Sequence, residues 1–290
     1  MSVIVTGASG QLGRAVADRL LETLPAREVI LVTRDPDSLT EYADRGADVR
    51  RGDFDEPGSL AEAFAGGERL LLISTDAVGR RGAQHGAAID AARAAGVRHV
   101  AYTSIVGAAP DNPLPIAQEH LATEQAIRDS GLAYTFLRNS VYAEMQVPAA
   151  AQAIASGQVV HNNGDAGIAY VAREDCAAAA AAVLSTGAHE NRTYDITGPE
   201  LVTGEAFAAL LTELAGTPVQ EVQVDDATTA QGLVAAGLPE PVAQVFAAFG
   251  AAARDGYLAS RTDGVRELTG SEPRSLRDVI SASLTQAATA

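Results

Sequence analysis

The segment Thr6-Gly7-Ala8-Ser9-Gly10-Gln11-Leu12-Gly13 restricts this chain more than any other, because it closes an apolar strand, Val3 to Thr6, and opens an amphipathic run of helical length. In a Gly-x-x-Gly-x-x-Gly loop each glycine has its own task. Gly7 lets the chain turn tightly off the strand, Gly10 lets backbone amides approach a diphosphate with no Cβ in the way, and Gly13 lets the helix pack closely on the sheet. The helix start then faces the anion with free N–H groups and the positive end of its dipole. Thr6, Ser9, Gln11 and Leu12 complete the predicted dinucleotide loop.

The pattern downstream agrees. Short β-branched or leucine-rich runs at Val29 to Thr33, Asp48 to Arg51, Arg69 to Ser74, His99 to Thr103 and Tyr134 to Leu137 alternate with predicted helices at Gln11 to Leu24, Leu39 to Arg45, Ser59 to Phe64, Gln84 to Ala95 and Gln118 to Asp129. Such alternation predicts βαβ units and an α/β fold with a doubly wound parallel sheet. Gly46, Gly96 and Gly131 mark helix ends. After Asn139 the pattern loosens, with one strand candidate at Thr193 to Thr197, a short run at Val219 to Val224 and mostly helix beyond Thr203. The expected division is a nucleotide-binding domain over residues 1–140 and a smaller substrate lobe over 141–290, with some strands of the second half returning to the sheet.

Which dinucleotide is bound depends on the end of the second strand, where an NAD enzyme offers a carboxylate to the ribose. Here stands Arg34, a fork of donors suited to a 2′-phosphate, with Arg14 able to add a contact. NADP(H) is therefore the expected cofactor, although Arg34 could also be a solvated neighbour of Asp35. Asp53 and Phe54, after the third strand, would meet the adenine, or Asp53 would cap a turn. Ser74 and Thr75 end the fourth strand at the edge where doubly wound folds hold ligands.

Composition removes other functions. All 21 basic residues are arginine, so Schiff-base and P-loop lysine chemistry is excluded. A net charge of −16 argues against a nucleic-acid partner. No apolar run reaches the roughly 20 residues of a membrane span. The single cysteine, Cys176, forms no internal disulfide, and Met1-Ser2-Val3 runs straight into a strand, so a cytoplasmic location is expected. His85, His99, His161 and His189 show no metal-ligand spacing, and no metal site is predicted. A homodimer is left open.

The sequence blocks Val-Thr-Gly-Ala-Ser-Gly-Gln-Leu-Gly, Val-Thr-Arg-Asp-Pro, Arg-Gly-Asp-Phe, Ala-Tyr-Thr-Ser and Tyr-Thr-Phe-Leu-Arg-Asn, in that order, resemble an atypical short-chain dehydrogenase/reductase of the NmrA-like group. Within it the likeness is greatest to bacterial NADPH-dependent quinone and triphenylmethane reductases, notably at Glu119 to Glu124 and His189 to Tyr194. The resemblance implies NADPH in the glycine loop, Asn139 and Val141 near the nicotinamide, and substrate between the lobes. Most short-chain dehydrogenases carry Tyr-x-x-x-Lys after the fifth strand; the matching positions here are Ile116 and His120. With no lysine, that dyad cannot exist in any register.

Loss of the phenolic acid disfavours reduction of isolated carbonyls, which need a proton as alkoxide charge develops. A quinone, or a triarylmethyl cation, does not. The expected activity is hydride transfer from NADPH to a quinone or similar conjugated aromatic small molecule, with His120 hydrogen-bonding ribose or substrate, or serving only the helix. Ser104 occupies the place of a catalytic serine, or is a strand-end turn residue. Ile116, Tyr142, Met145 and Phe246 are substrate-lining candidates, as are Phe249 and Tyr257, though most such residues are core. The alternatives are an NADP(H)-sensing regulatory protein without turnover and a triarylmethane-dye-type reductase; an epimerase would need the missing dyad.

Overall fold

In the computed structural model, which describes residues 1–289, seven strands form one all-parallel sheet: β1 (Val3–Thr6), β2 (Val29–Thr33), β3 (Asp48–Arg51), β4 (Arg69–Leu72), β5 (His99–Ile105), β6 (Ala133–Asn139) and β8 (Arg192–Ile196), in the spatial order β3-β2-β1-β4-β5-β6-β8. β1 and β2 are buried along their whole length, which is why their sequences are unbroken apolar runs. The remaining strands, β7 (Gln158–His161) and β9 (Gln220–Gln223), make a separate parallel pair.

On one face of the sheet α1 (Gln11–Thr23) packs against α7 (Arg173–Ser185), with a core running from Val5 and Leu20 to Ala177 and Val183. α2 (Thr40–Asp44) follows β2, and α3 (Leu60–Phe64), α4 (Arg81–Ala94) and α5 (Pro115–Asp129) cover the other face around Phe64, Tyr102 and Phe136. The small lobe comprises α6 (Gln146–Ser156), α8 (Gly204–Ala215), α9 (Asp226–Ala235), α10 (Glu240–Arg254) and α12 (Leu276–Thr289), built on a third core that includes Phe207, Leu211 and Leu258. α11 (Gly264–Thr269) returns to α7.

Differences from the sequence reading are local. β4 ends at Leu72 rather than Ser74, β5 and β6 run on to Ile105 and Asn139, and α5 begins three residues early at Pro115, whose fixed φ and missing N–H suit a first helical position. Gly46, Gly96 and Gly131 all have positive φ (91°, 79° and 77°), as helix-ending glycines should. The run at Val219 to Val224 becomes β9, paired with β7, which the sequence did not announce. β8 and α7 belong to the first sheet, so residues beyond 141 contribute both an edge strand and a covering helix to it.

Candidate functional site

The strand order reverses between β1 and β4, and the crevice at the C-terminal ends of these strands is where open α/β sheets take ligands. A cavity of about 380 Å³ lies elsewhere, among α6, α8 and α9; the crevice itself holds one of about 320 Å³. Its walls are the segments following β1, β2, β3 and β4.

The glycine loop forms the inner wall. Gly7 sits at φ +60°, a conformation that side chains rarely adopt, and its carbonyl accepts from the Gly10 amide at 3.0 Å. A Cβ on Gly13 would lie 2.3 Å from the Gly7 oxygen and 2.7 Å from the Ala8 Cα, so only glycine lets α1 approach the loop this closely. Gly10 is the N-cap and offers no side-chain cap, and the first turn carries no carboxylate. The amides there are left for an anion. Thr6 lines the cavity, but its hydroxyl donates to the Leu71 carbonyl and accepts from the Ile73 amide, both about as short as main-chain bonds (3.0 and 3.1 Å), tying β1 to the exit of β4. Ser9 accepts from Thr33 at 2.9 Å. Leu12 is buried in the core and the Gln11 side chain is exposed outside the cavity, so neither side chain lines it.

Arg34 stands exposed on the rim and makes no ion pair among the described residues. Arg14, by contrast, is engaged: its guanidinium bonds Glu41 and the Ser38 and Ser9 carbonyls, so the second contact expected of it is not available without breaking these. Asp53 and Phe54 both line the cavity; Asp53 also accepts from the Asp55 amide at 3.0 Å, the turn-capping role left open above, and Phe54 meets His85 edge-on. Ser74 and Thr75 line the opposite wall. The Ser74 amide donates to Thr103, and the Thr75 amide donates to His85 Nε2 at 3.2 Å.

Behind this wall, α5 faces β5. Tyr102, with no exposed surface, bonds His120 Nδ1 at 2.7 Å. Burial, with the Arg81 charge adding to it, pushes the His120 imidazole down to about 3, so the ring is neutral at any working pH. Ile116, one turn earlier on α5, packs into the small-lobe core. Ser104 departs from the expectation of a catalytic serine. Two residues beyond Tyr102, it points to the same face of the sheet, and its hydroxyl donates to the fully buried Glu124 at 2.7 Å; it does not line the crevice. Glu124 is held by Arg138 through two bonds of 2.8 and 2.7 Å, a cluster that sequence alone did not reveal because a helical glutamate ordinarily reads as solvated.

At the exit of β6, Asn139 donates from Nδ2 to the Tyr142 hydroxyl at 3.1 Å, while Asn139 Oδ1 and Ser140 Oγ are buried without partners. These two orphaned polar atoms lie at the C-terminal end of β6 and outside the lining of the cavity, whereas the bare glycine loop that forms its inner wall fits a nucleotide diphosphate. Val141 packs toward the small lobe and Tyr142 lies under Arg173. Met145 and Phe246 are exposed, Met145 beside Arg173 and Arg274 and Phe246 against Phe249; the structure does not bring either to the nucleotide cavity. Among the described residues no group of three or more His, Cys, Asp or Glu could hold a metal. No described helix is long and apolar enough to cross a membrane.

Residues 7–186 match the family described as NAD(P)H-binding. The chain belongs to that family. Relatives of this NAD(P)H-binding chain span it almost end to end. Quinone oxidoreductase 2 of Escherichia coli K12 is 37% identical over 279 residues, 96% of this chain and 97% of its own. The structure of the E. coli NADPH-dependent quinone oxidoreductase complexed with NADPH superposes with a TM-score of 0.94, covering 97% of this chain and 99% of that one at 37% identity. Citrobacter triphenylmethane reductase complexed with NADP(H) gives 0.92 at 38% identity over 97% and 99% of the two chains.

Proposed function

We propose that this protein is an NADPH-dependent reductase of quinones or similar conjugated aromatic acceptors, acting in the cytoplasm. The observation that carries the reading is one cavity bounded by an uncapped helix start on one side and the unpaired Arg34 on the other. The loop from Gly7 to Gly13 holds the diphosphate, Arg34 selects the 2′-phosphate, Asp53 and Phe54 flank the adenine, and Ser74 and Thr75 meet the ribose side. When bound, NADPH supplies hydride to the acceptor.

The protein's own groups limit which acceptor that is. No tyrosine–lysine acid stands on α5, and His120 is neutral, so the site has no proton to deliver as charge develops on an isolated alkoxide. Acceptors that stabilise the added electrons themselves need only positioning and a dry slot, to which Ile116 and Tyr142 contribute apolar surface.

Calorimetry with NADPH and NADH, followed by NADPH oxidation with a small panel of quinones, tests this. Tighter binding of NADPH and quinone-dependent loss of its near-ultraviolet band are expected. Binding with no turnover on any acceptor would point instead to a sensing role, and preference for NADH would remove the function given to Arg34.

A further inference from the structure

The cavity among α6, α8 and α9 is separate from the nucleotide crevice: among the described residues none lines both. Its floor is apolar, made by the buried Ala153, Val159, Val202 and Phe207. Charged residues make up 20% of the chain, yet no carboxylate and no guanidinium is among the described residues that line this cavity. His161 stands in one wall and is engaged at both ring nitrogens. Its Nε2 donates to Glu221 at 2.8 Å, its Nδ1 accepts from the Asn163 amide at 3.2 Å, and a Cβ on Gly204 would overlap the ring, so β7 and the start of α8 are closely seated.

One polar group on the floor has no partner. Tyr170 lines the cavity and is 8% exposed, and its hydroxyl makes no hydrogen bond among the described residues. Nor is that oxygen one of the fully enclosed unpartnered atoms, so it opens onto the cavity that its side chain lines. Burial pushes the phenol above its ordinary value, so the hydroxyl keeps its proton and is a donor without an acceptor. Nearer the mouth stand Gln146, Gln152 and Gln158, whose side chains also make no hydrogen bond among the described residues.

These features select a ligand by its chemistry. An ion entering a lining without charge would lose water and gain no counter-charge, so the ligand is uncharged. The apolar floor suits a flat aromatic ring, and the buried donor suits a carbonyl oxygen. A volume of about 380 Å³ is at the small end of the range for small-molecule sites and has room for two fused rings. We propose that this cavity is a second binding site, for an uncharged two-ring aromatic carbonyl compound whose oxygen accepts a hydrogen bond from Tyr170. Binding there is independent of turnover and so goes beyond the reductase reading above.

Calorimetry without nucleotide tests this, with coumarin as the neutral probe and coumarin-3-carboxylate as its charged counterpart. Coumarin should bind at one site, and the carboxylate at least about tenfold more weakly. Tyr170→Phe removes only the hydroxyl and should weaken coumarin about fivefold to tenfold. Gly232 on α9 also lines the cavity, and a Cβ there meets no neighbouring element within 4 Å. Gly232→Leu therefore fills open space while exchanging a poor helix former for a good one, and should remove coumarin binding. Both variants should keep the wild-type circular dichroism spectrum, and saturating NADPH should leave coumarin affinity unchanged. No heat with coumarin, equal affinity for the carboxylate, full affinity in either variant, or displacement by NADPH each overturns the proposal. None of these outcomes touches the reductase reading, and a protein that reduces no quinone can still meet every expectation.

Discussion

Arg138, next to Ser104 across the β5–β6 pair, reaches the carboxylate of Glu124 on α5 with Nε at 2.8 Å and Nη2 at 2.7 Å, and Glu124 has no exposed surface. Ser104 donates to the same carboxylate and Arg128 adds a weaker contact at 3.3 Å. One buried charge thus clamps α5, the helix that carries His120, to the strands whose ends form the crevice. Removing the carboxylate leaves the Arg138 guanidinium uncompensated. Glu124→Ala should therefore lower the free energy of unfolding by about 3–5 kcal/mol, read from urea denaturation midpoints at constant m-value. A loss below about 1 kcal/mol would mean that the cluster is solvated in solution.

Gly13→Ala separates folding from binding. The added methyl would lie against the Gly7 carbonyl and the Ala8 backbone, so the loop must shift by the amount that misplaces its amides. NADPH affinity should fall at least about tenfold, with far-ultraviolet circular dichroism unchanged. Full affinity would show that the loop has slack this geometry denies.

Arg34→Ala should weaken NADPH by roughly 10- to 100-fold, the value of a charge-assisted contact to one phosphate, while NADH affinity changes by less than about threefold. Calorimetry on both nucleotides gives the ratio. Equal losses would mean that Arg34 acts on the loop and not on the 2′-phosphate.

The sheet was legible because its central strands are buried on both faces and so read as unbroken apolar runs, and because α2, α4 and α5 are followed by the glycines Gly46, Gly96 and Gly131 at positive φ. The glycine loop was legible for the same reason: backbone geometry dictates residue type there. Side-chain direction was not. Whether Ser104 faces the crevice or α5 depends on its parity with Tyr102 along β5 and on a partner twenty residues later in the chain, neither of which a local pattern encodes. β7 and β9 were hard to read because the pair is short and half exposed; Val160 is 57% exposed, so no alternation marks β7. Met145 was a candidate from its type and its place just beyond β6, and Phe246 from its type and its place in the C-terminal helices, and neither says which wall of a lobe an aromatic or thioether joins.

Three buried histidines give the fold an acid-sensitive stability. His85 and His99 are pushed down to about 4 and His120 to about 3, burial being the main cause in each, from an ordinary 6.5. Their folded-state values are depressed, so below pH 6.5 the unfolded chain takes up protons that the native state refuses, and stability falls as pH falls. The contribution is complete above about pH 6.5 and is lost progressively toward pH 4, at roughly 1 kcal/mol per histidine by pH 5.5. Urea midpoints at pH 7.0, 6.0 and 5.5 should decline in that order by about these amounts. A flat profile over this range would mean that the rings are hydrated.

Ser104→Ala tests the reassignment of that hydroxyl. As a catalytic group acting on substrate, its loss would lower turnover by about 100-fold or more. As a donor to Glu124, its loss removes one of the bonds that satisfy a buried carboxylate, at about 1–3 kcal/mol, and leaves the Arg138 pair in place. The expected result is a lower denaturation midpoint with kcat within about threefold of wild type on a quinone, because the hydroxyl lies on the α5 side of β5 and does not line the crevice. Ser104→Cys gives the complementary case, since a thiol is a weaker donor of similar shape and should lose part of the same stability. Wild-type stability together with abolished turnover in both variants would return Ser104 to the reacting atoms.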